Sequence, residues 1–210
     1  METWYESNLP EALIALNRGA SKSAITRFEE QIGLELPDDL RESFSIHNGE
    51  NATKICVGCV YGLNLLSLDG CYRQWKSWNG IIPIPELDED AESIPKGYVR
   101  PHYFHSSWIP LTHDGSGNHI AVDLAPGEHG TVGQIIVCGR DDLTHYVAAH
   151  SFSHFLRHML DELTGGNFII RRQGNRTLFT DVPMVEFKPK TPKVDHFHVA
   201  ICSKRFHITG

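Results

Sequence analysis

Closely spaced strand segments in the middle of the chain constrain its fold more than any other feature. From residue 119 to residue 124 the side chains alternate, with one set facing each way: Ile120, Val122 and Leu124 against His119, Ala121 and Asp123. Further strand segments are predicted at 108–111, 131–138 and 144–148. The turn clusters HDGSGN, APGEHG and GRDD connect these segments. Because the connections are too short for a parallel crossover, the region is predicted to be an antiparallel meander.

Helical periodicity is confined to the two sides of this central region. The predicted helices start near Pro10, at Ser21 or Ser23, near Leu36–Asp39, at Ser67 or Asp69, and at Ser151. They end at Gly19, Ile32–Gly33, Asn48-Gly49, Asn79-Gly80 and Leu163. The sequence predicts an α+β fold. It would consist of a helical front end, a central curved antiparallel sheet, a flanking C-terminal helix and a β-rich tail.

The other segments carry weaker signals. Residues 54–65 resemble a strand, and the proline-rich and acidic stretch 81–101 predicts a long surface loop without regular structure. Strands are predicted at 168–170, 178–179 and 197–201. The domain organisation expected from this pattern is one domain over 1–175, with a β-rich extension over 176–210 packed on it.

Composition narrows the classes of partner. The chain has 210 residues and a formal net charge of −7, which disfavours nucleic acid and favours a basic protein partner. The N-terminus does not resemble a secretory signal, and no apolar run reaches the ~20 residues needed to cross a bilayer. Five cysteines fit reduced thiols. A cytoplasmic protein without a membrane span is expected.

Two motifs are candidate metal ligands. Cys56-Val57-Gly58-Cys59 lacks the second cysteine pair that a structural zinc site usually needs, so buried or idle thiols are favoured. His150, His154 and His158 recur at helical spacing, but no glutamate stands where a zinc protease needs its base. A solvated or partner-facing stripe is therefore favoured, and neither a metal nor another cofactor is expected.

The turn after residue 113 carries no nucleophile signature. Its serine joins two strands rather than a strand and a helix, so it differs from the G-x-S-x-G elbow. Gly115 and Gly117 are predicted to supply positive φ, while Asp114 and Asn118 hydrogen-bond the backbone of the loop. The flanking histidines 113 and 119 could converge, although exposure is the favoured reading. Asp123 is a general-base candidate, but a polar-face residue paired across strands is favoured. No catalytic residue is predicted.

The acidic stretch is the predicted partner-binding surface. Its residues are Glu86, Asp88, Glu89, Asp90 and Glu92, with no basic residue among them. One interpretation is a solvated charge run, and the other is a patch that steers a basic partner. Trp78 is added as an interface residue because tryptophan dominates binding hot spots, whereas Trp108 is predicted to be core.

Several strings resemble one known family. SWIPLTHDGSGNHIAVDLAPGEHGTVGQIIVCGRDD is similar to the central segment of fungal cell-wall regulators of the glucan-synthesis and killer-toxin-resistance type, which belong to the SUKH superfamily. FEEQIGLELPDDLRESFSIHNGE, GLNLLSLDGCYRQWKSW, SIPKGYVRPHYFHSSWIPL and LTGGNFII resemble further parts of the family in the same order. The resemblance covers about residues 20–175.

The resemblance implies an α+β domain that binds proteins rather than catalysing a reaction. Many bacterial members of the superfamily are regarded as immunity proteins, so the first expectation is stoichiometric neutralisation of a basic toxin domain. A regulatory scaffold in cell-wall (glucan) synthesis is the alternative, as in the fungal branch. A small metal-dependent hydrolase built around the histidines is the second alternative. Because a fold does not determine a function, the residues of the candidate site have to distinguish these three functions.

Overall fold

A computed structural model describes residues 1–51 and 58–166, and it describes 168–173 and 182–187 by their backbone. The helices in these ranges are α1 (Glu2–Asn8), α2 (Pro10–Ala15), α3 (Lys22–Ile32), α4 (Asp38–Ile46), α5 (Leu68–Asn79), α6 (Pro85–Asp88) and α7 (Phe152–Thr164). The strands are β1 (Asn64–Leu65), β2 (Glu92–Ile94), β3 (Trp108–Pro110), β4 (Thr112–His113), β5 (Asn118–Asp123), β6 (Gln134–Gly139), β7 (Thr144–Ala149), β8 (Phe168–Gln173) and β9 (Val182–Phe187).

A five-stranded sheet organises these elements, in the order β2-β7-β6-β5-β3. β5 pairs antiparallel with β3 and with β6, and β6 pairs antiparallel with β7, so the predicted meander is confirmed there. The predicted α+β class is confirmed as well. β2, however, pairs parallel with β7, with Glu92 opposite Thr144. The sheet is therefore mixed, because a segment predicted to be irregular supplies its outer strand.

Local sequence signals set the ends of the longer helices. The hydroxyls of Ser21, Ser67 and Ser151 accept hydrogen bonds from the backbone N–H groups of residues 24, 70 and 154. Gly33 ends α3 with a left-handed φ of 69°. These three helices start and end close to the predicted positions.

The first predicted helix starts at Pro10 as expected, but it is shorter than predicted, and a further helix, α1, precedes it. Pro10 has no N–H and occupies the first turn of α2, while Leu9 before it has a non-helical backbone (φ −152°, ψ 64°) and is fully buried. α2 ends at Ala15 rather than at Gly19, because Leu16 turns extended and forms a bridge with Glu50. Tertiary packing at these two leucines overrides the helical periodicity.

The first core lies between one face of the sheet and the helices. The sheet contributes Ile120, Val122, Ile135 and Val137, and the helices contribute residues that include Phe28, Leu40, Phe44, Phe155 and Met159. Each fully buried large apolar side chain contributes about 1.5–3 kcal/mol relative to exposure. This is the face that the apolar half of the alternation predicted.

The second core covers the opposite face, which was expected to be polar. Its residues are Trp78, Val99, Tyr103, Phe104, Trp108, Ala121, Ile136, Cys138 and Val147. All six residues of β5 are buried, Asp123 included. The cover comes from residues 81–107, which connect α5 to β3 and which we call the strap. The strap contains α6 and β2, so the prediction of a loop without regular elements was wrong.

The tail and the segment before β1 are described in part. β8 and β9 form an antiparallel pair with Phe168 opposite Phe187. The strands predicted at 178–179 and 197–201 lie outside the described residues, and the domain boundary at 175 stays a prediction. Of the strand predicted over 54–65, the described part holds only β1, which pairs with β4.

Candidate protein-interaction surface

Aromatic packing fixes the strap on the sheet. The Trp78 indole stacks on the Phe104 ring with centroids 4.4 Å apart and planes at 4°, and it meets Tyr103 edge-on at 5.5 Å. Phe104 in turn meets Trp108 edge-on at 5.6 Å. Aromatic pairs of this kind add about 0.5–1.5 kcal/mol beyond the area that they bury. The strap is consequently part of the folded body rather than a loose loop.

Partly buried hydrogen bonds hold the strap at defined positions. His145 Nε2 donates to the His102 carbonyl oxygen at 2.7 Å, and Gln134 Nε2 donates to the Tyr98 carbonyl oxygen at 2.9 Å. The Tyr103 hydroxyl donates to the Arg140 carbonyl oxygen at 3.0 Å. Each bond joins the strap to a residue of the β5–β7 region. Breaking one would leave a polar group without its partner in the second core.

His119 links α5 to the sheet through both ring nitrogens. Its Nδ1 donates to the Thr112 carbonyl oxygen at 2.7 Å, and its Nε2 accepts the Trp78 indole N–H at 2.9 Å. These two bonds together require the neutral ring with its proton on Nδ1. His113 and His119 do converge, with ring centroids 5.3 Å apart, but His119 is buried rather than exposed.

Trp78 is therefore a core residue. Its exposed fraction is 7%, and its one polar atom is bonded to His119. The prediction that Trp78 contacts a partner was wrong, because the strap covers it. Trp75, one turn earlier in α5, is partly exposed and donates its indole N–H to the Ser106 carbonyl oxygen at 2.7 Å. Trp108 is fully buried, as predicted.

Four of the five acidic candidates lie exposed on the outer side of the strap. They are Glu86, Glu89, Asp90 and Glu92, which belong to α6, to the turn after it and to the start of β2. We call these four side chains the acidic patch. They fall within seven residues of sequence, and no Lys or Arg lies among them. The patch can attract a cationic surface, and its solvent exposure favours faster encounter over tight binding.

Asp88, the fifth candidate, has an internal role. Its Oδ1 accepts the Tyr103 backbone N–H at 2.7 Å, and its Oδ2 lies 3.2 Å from His102 Nδ1. Asp88 is partly buried by these contacts. Its inclusion among the partner-binding residues is corrected, because the carboxylate joins α6 to the inner part of the strap.

The predicted loop at residues 114–118 is held by one carboxylate. Asp114 Oδ1 accepts the backbone N–H groups of Ser116, Gly117 and Asn118 at 2.7–3.0 Å. Partial burial raises the pKa of Asp114, but these hydrogen bonds and one from the Asn118 amide outweigh it and hold the pKa below its ordinary value. Gly115 and Gly117 have φ of 89° and 108°. The carboxylate is fully occupied by its own loop, as the sequence predicted.

Asp123 is fully buried at the end of β5. Its carboxylate accepts hydrogen bonds from Gln134 Nε2 and from the Ala125 backbone N–H, each at 2.9 Å. Burial raises the pKa of Asp123 to about 6, against the lowering effect of these bonds. The predicted cross-strand pairing exists, since Asp123 lies opposite Gln134 in the sheet register. The exposed polar face predicted for β5 is absent, because His119 and Asp123 are both buried.

The candidate metal motifs do not assemble into a multi-ligand site. In the part of the chain that the structure describes, no group of three or more His, Cys, Asp or Glu side chains could hold a metal ion. Cys59, Cys71 and Cys138 are buried, and burial raises the pKa of Cys71 and Cys138. Cys56 lies outside the described residues. The three histidines of the predicted stripe do lie side by side along α7 and the residue before its cap.

Sequence reasoning missed Glu50, a second buried carboxylate among the described residues. Its oxygens accept the backbone N–H groups of Gly58, Cys59 and Leu65 at 2.8–3.2 Å. Burial raises the pKa of Glu50 more than these bonds lower it. The local sequence around Glu50, directly after Asn48-Gly49, did not indicate this role. The residues that donate hydrogen bonds to its carboxylate are all at least eight positions away in the sequence.

A mostly apolar pocket of about 530 Å³ lies on the helical side of the protein. Its walls come from α1, the end of α4, the segment around β1, and α7, with Ile46 and Leu156 among them. Ile46 is 53% exposed. The pocket and the acidic patch lie on different elements, so mutations can address them separately.

Among the helices that the structure describes, none combines the length and the apolar character that a membrane span needs.

Comparison with known proteins identifies relatives over most of the chain. The chain is 29% identical to the glucan synthesis regulatory protein of Neurospora crassa, over 95% of this chain and 43% of the relative. It is 32% identical to the cell wall biosynthesis/cell cycle regulator smi1 of Schizosaccharomyces pombe, over 83% of this chain and 37% of the relative. It is 28% identical to the cell wall assembly regulator SMI1 of Saccharomyces cerevisiae, over 95% of this chain and 46% of the relative.

The chain spans less than half the length of each of these relatives. The matching family model is that of the SMI1/KNR4 family (SUKH-1), and it covers residues 19–158, which include every strand of the five-stranded sheet and the strap. This agrees with the resemblance predicted over residues 20–175. The chain belongs to the SMI1/KNR4 family (SUKH-1).

Proposed function

We propose that this chain is a non-enzymatic, cytoplasmic protein-binding module that acts in the regulation of cell-wall glucan synthesis. The observation that carries the proposal is the similarity, over 83–95% of the chain, to three fungal proteins named as regulators of glucan synthesis or of the cell wall. The burial of Asp123 favours binding over catalysis, because its carboxylate is held away from a substrate. The exposed Asp114 carboxylate is engaged by the backbone N–H groups of its own loop.

The acidic patch is the proposed contact surface for a basic segment of the partner. Its four carboxylates are exposed, while the strap beneath them is anchored by the second core. A charged surface on a fixed support loses little conformational entropy on binding. Asp88 positions this surface by joining α6 to Tyr103, and it is not proposed as a contact.

Neutralisation of a toxin is the second candidate, and the net charge of −7 favours it because it suits a basic toxin domain. The two candidates share the acidic patch as contact surface and differ in the partner. The fungal regulators among the relatives make the cell-wall role the first proposal.

A domain exchange tests the cell-wall proposal. This chain would replace the matched region of the glucan synthesis regulatory protein in a Neurospora crassa strain that lacks the native protein, so that the remainder of the relative is retained. Restored cell-wall glucan content is expected. Wild-type levels of folded chimera without any restoration of glucan would contradict the proposal and leave the toxin candidate.

Two matched charge variants locate the contact surface. The first neutralises the acidic patch as Glu86→Gln, Glu89→Gln, Asp90→Asn and Glu92→Gln. The second removes the same charge from four exposed acidic residues elsewhere: Glu6→Gln, Glu30→Gln, Glu42→Gln and Asp161→Asn. Loss of glucan restoration in the first chimera but not in the second is expected. Equal effects would show that net charge rather than the patch matters.

A further inference from the structure

Histidine acceptors lie at both ends of the strap. Just before the strap begins, at the end of α5, the Trp78 indole N–H donates to His119 Nε2 at 2.9 Å. Where the strap leads into β3, the Ser107 backbone N–H donates to His105 Nδ1 at 3.1 Å. In both bonds the ring nitrogen is the acceptor, so each bond requires that this nitrogen carries no proton.

A proton on either nitrogen removes the acceptor. A protonated imidazole has only donors, so the N–H group opposite it loses its partner and two donors face each other. His119 is 1% exposed, so its protonation would also bury a charge in the second core. The closed strap therefore disfavours the protonated form of both rings, whereas a strap lifted from the sheet leaves both rings to water.

The charged groups of the strap and of α6 disfavour a proton on His105 on balance. Burial lowers the pKa of His105, and His102 and Arg100 lower it further, against the opposing effect of Asp88. The His102 ring lies 5.1 Å from the His105 ring, and its Nδ1 lies 3.2 Å from the Asp88 carboxylate. A proton on His102 is consequently held by Asp88 and repels one on His105.

The titratable groups on the sheet side do not compensate a positive charge. The His113 ring lies 5.3 Å from that of His119, and Cys138 lies opposite His119 in the sheet register. His145 lies behind the Trp108 ring, with centroids 4.8 Å apart. Two of these groups are histidines, and burial raises the pKa of the Cys138 thiol, so these three groups do not supply the negative charge that stabilises a buried imidazolium.

Asp123 has the opposite effect on the strap. It lies on the same face of β5 as His119, and its pKa of about 6 lets the closed state take up a proton that an exposed carboxylate would not. From about pH 7.5 to about pH 5.5 this favours closure by about fourfold. A histidine that is protonated only in the open state, with a pKa of about 6.5, favours opening by about tenfold over the same range. Two such histidines outweigh Asp123, and the net effect is about 25-fold towards opening.

We propose that the strap is an acid-sensitive clasp, which opens from the sheet when His105 and His119 take up protons. Opening exposes the second core, including Phe104 and Trp108, while the first core on the other face of the sheet stays folded. The acidic patch lies on the same strap, so it loses its fixed support at the same pH. The inference is independent of the proposed cell-wall function, because the strap opens without a partner.

Hydrogen–deuterium exchange of the full chain, read by mass spectrometry and divided by the intrinsic exchange rates, tests the clasp. From about pH 7.5 to about pH 5.5 the opening constant of residues 99–107 should rise by about 25-fold. The opening constant of α7, whose buried face belongs to the first core, should not follow it.

Matched variants identify the groups that take up the protons. His105→Asn and His119→Gln each keep a side-chain carbonyl oxygen near the position of the accepting nitrogen, but neither side chain titrates in this range. Each should reduce the rise in the opening constant to about two- to threefold. Asp123→Asn removes the opposing group and should increase the rise to about 100-fold. His154→Gln, at an exposed position on α7, is the control and should keep the wild-type rise.

The outcomes separate the clasp from general acid unfolding. Circular dichroism at neutral pH checks that each variant is folded. If His119→Gln does not fold, His105→Asn decides alone, because its site is partly exposed. The proposal is overturned if the exchange of residues 99–107 does not rise on acidification, or if that of α7 rises in parallel. It is also overturned if His105→Asn keeps the full wild-type rise.

Discussion

The hydrogen bond between Trp78 and His119 is expected to hold the second core together, and Trp78→Phe tests it. Phenylalanine keeps one ring against Phe104 but removes the indole N–H that donates to His119 Nε2 at 2.9 Å. A buried acceptor left without its donor costs about 1–3 kcal/mol. The smaller ring also leaves a cavity that costs about 1 kcal/mol. The free energy of unfolding should therefore fall by about 2–4 kcal/mol.

Trp75→Phe is the matched control on the same helix. Trp75 also donates its indole N–H to a carbonyl oxygen, that of Ser106, but at a partly exposed position where water can replace the bond. Its replacement should cost less than about 1 kcal/mol. The same substitution three residues apart thus separates a buried bond from an exposed one.

Equilibrium urea denaturation of both variants, followed by far-UV circular dichroism, measures the difference. An unchanged m-value would show that the same surface is exposed on unfolding. If Trp78→Phe and Trp75→Phe differed by less than about 0.5 kcal/mol, the claim that the hydrogen bond between Trp78 and His119 stabilises the second core would be refuted.

Three other substitutions test the buried polar groups and the central turn. The pKa of Asp123 is about 6 in the folded state, about two units above its ordinary value. Between about pH 4 and 6 the folded state therefore binds more protons than the unfolded state. The free energy of unfolding consequently falls as the pH rises through this range. Denaturation of the wild type and of Asp123→Asn across this range should diverge by up to about 3 kcal/mol and then run parallel above pH 7; parallel curves throughout would contradict the raised pKa. Glu50→Gln places an amide N–H₂ against the Gly58 N–H and should cost about 1–3 kcal/mol in urea denaturation; no measurable loss would show that this contact is dispensable. Gly139→Ala should lower the melting temperature more than Gly33→Ala, because a Cβ at 139 would lie 2.5 Å from the Asn118 Cα whereas that at 33 meets open space; the reverse order would be inconsistent with the register of β5 and β6.

The acidic patch was only partly predictable from the sequence. The exposure of Glu86, Glu89, Asp90 and Glu92 agrees with a charge run that has no basic residue in it. Asp88 has the same chemistry and the same neighbours in sequence, yet it binds Tyr103 fifteen residues later. Its role depends on a contact distant in sequence, which charge patterning does not encode.

Local signals in the sequence determined α3, α5, α7 and the antiparallel part of the central sheet. Serine caps, a left-handed glycine and the alternation of β5 act over four residues or fewer, so they specify the same structure wherever the segment lies. The α+β class follows from the order of these elements.

Only the tertiary structure decided that both faces of the sheet are buried. The strap residues Val99, Tyr103 and Phe104 have neither helical nor strand periodicity, so their burial has no local signature. His119 and Asp123 are polar residues on an alternating strand, which by itself predicts an exposed face. They are buried because Trp78 and Gln134, from other elements, supply the hydrogen bonds that burial of a polar group requires.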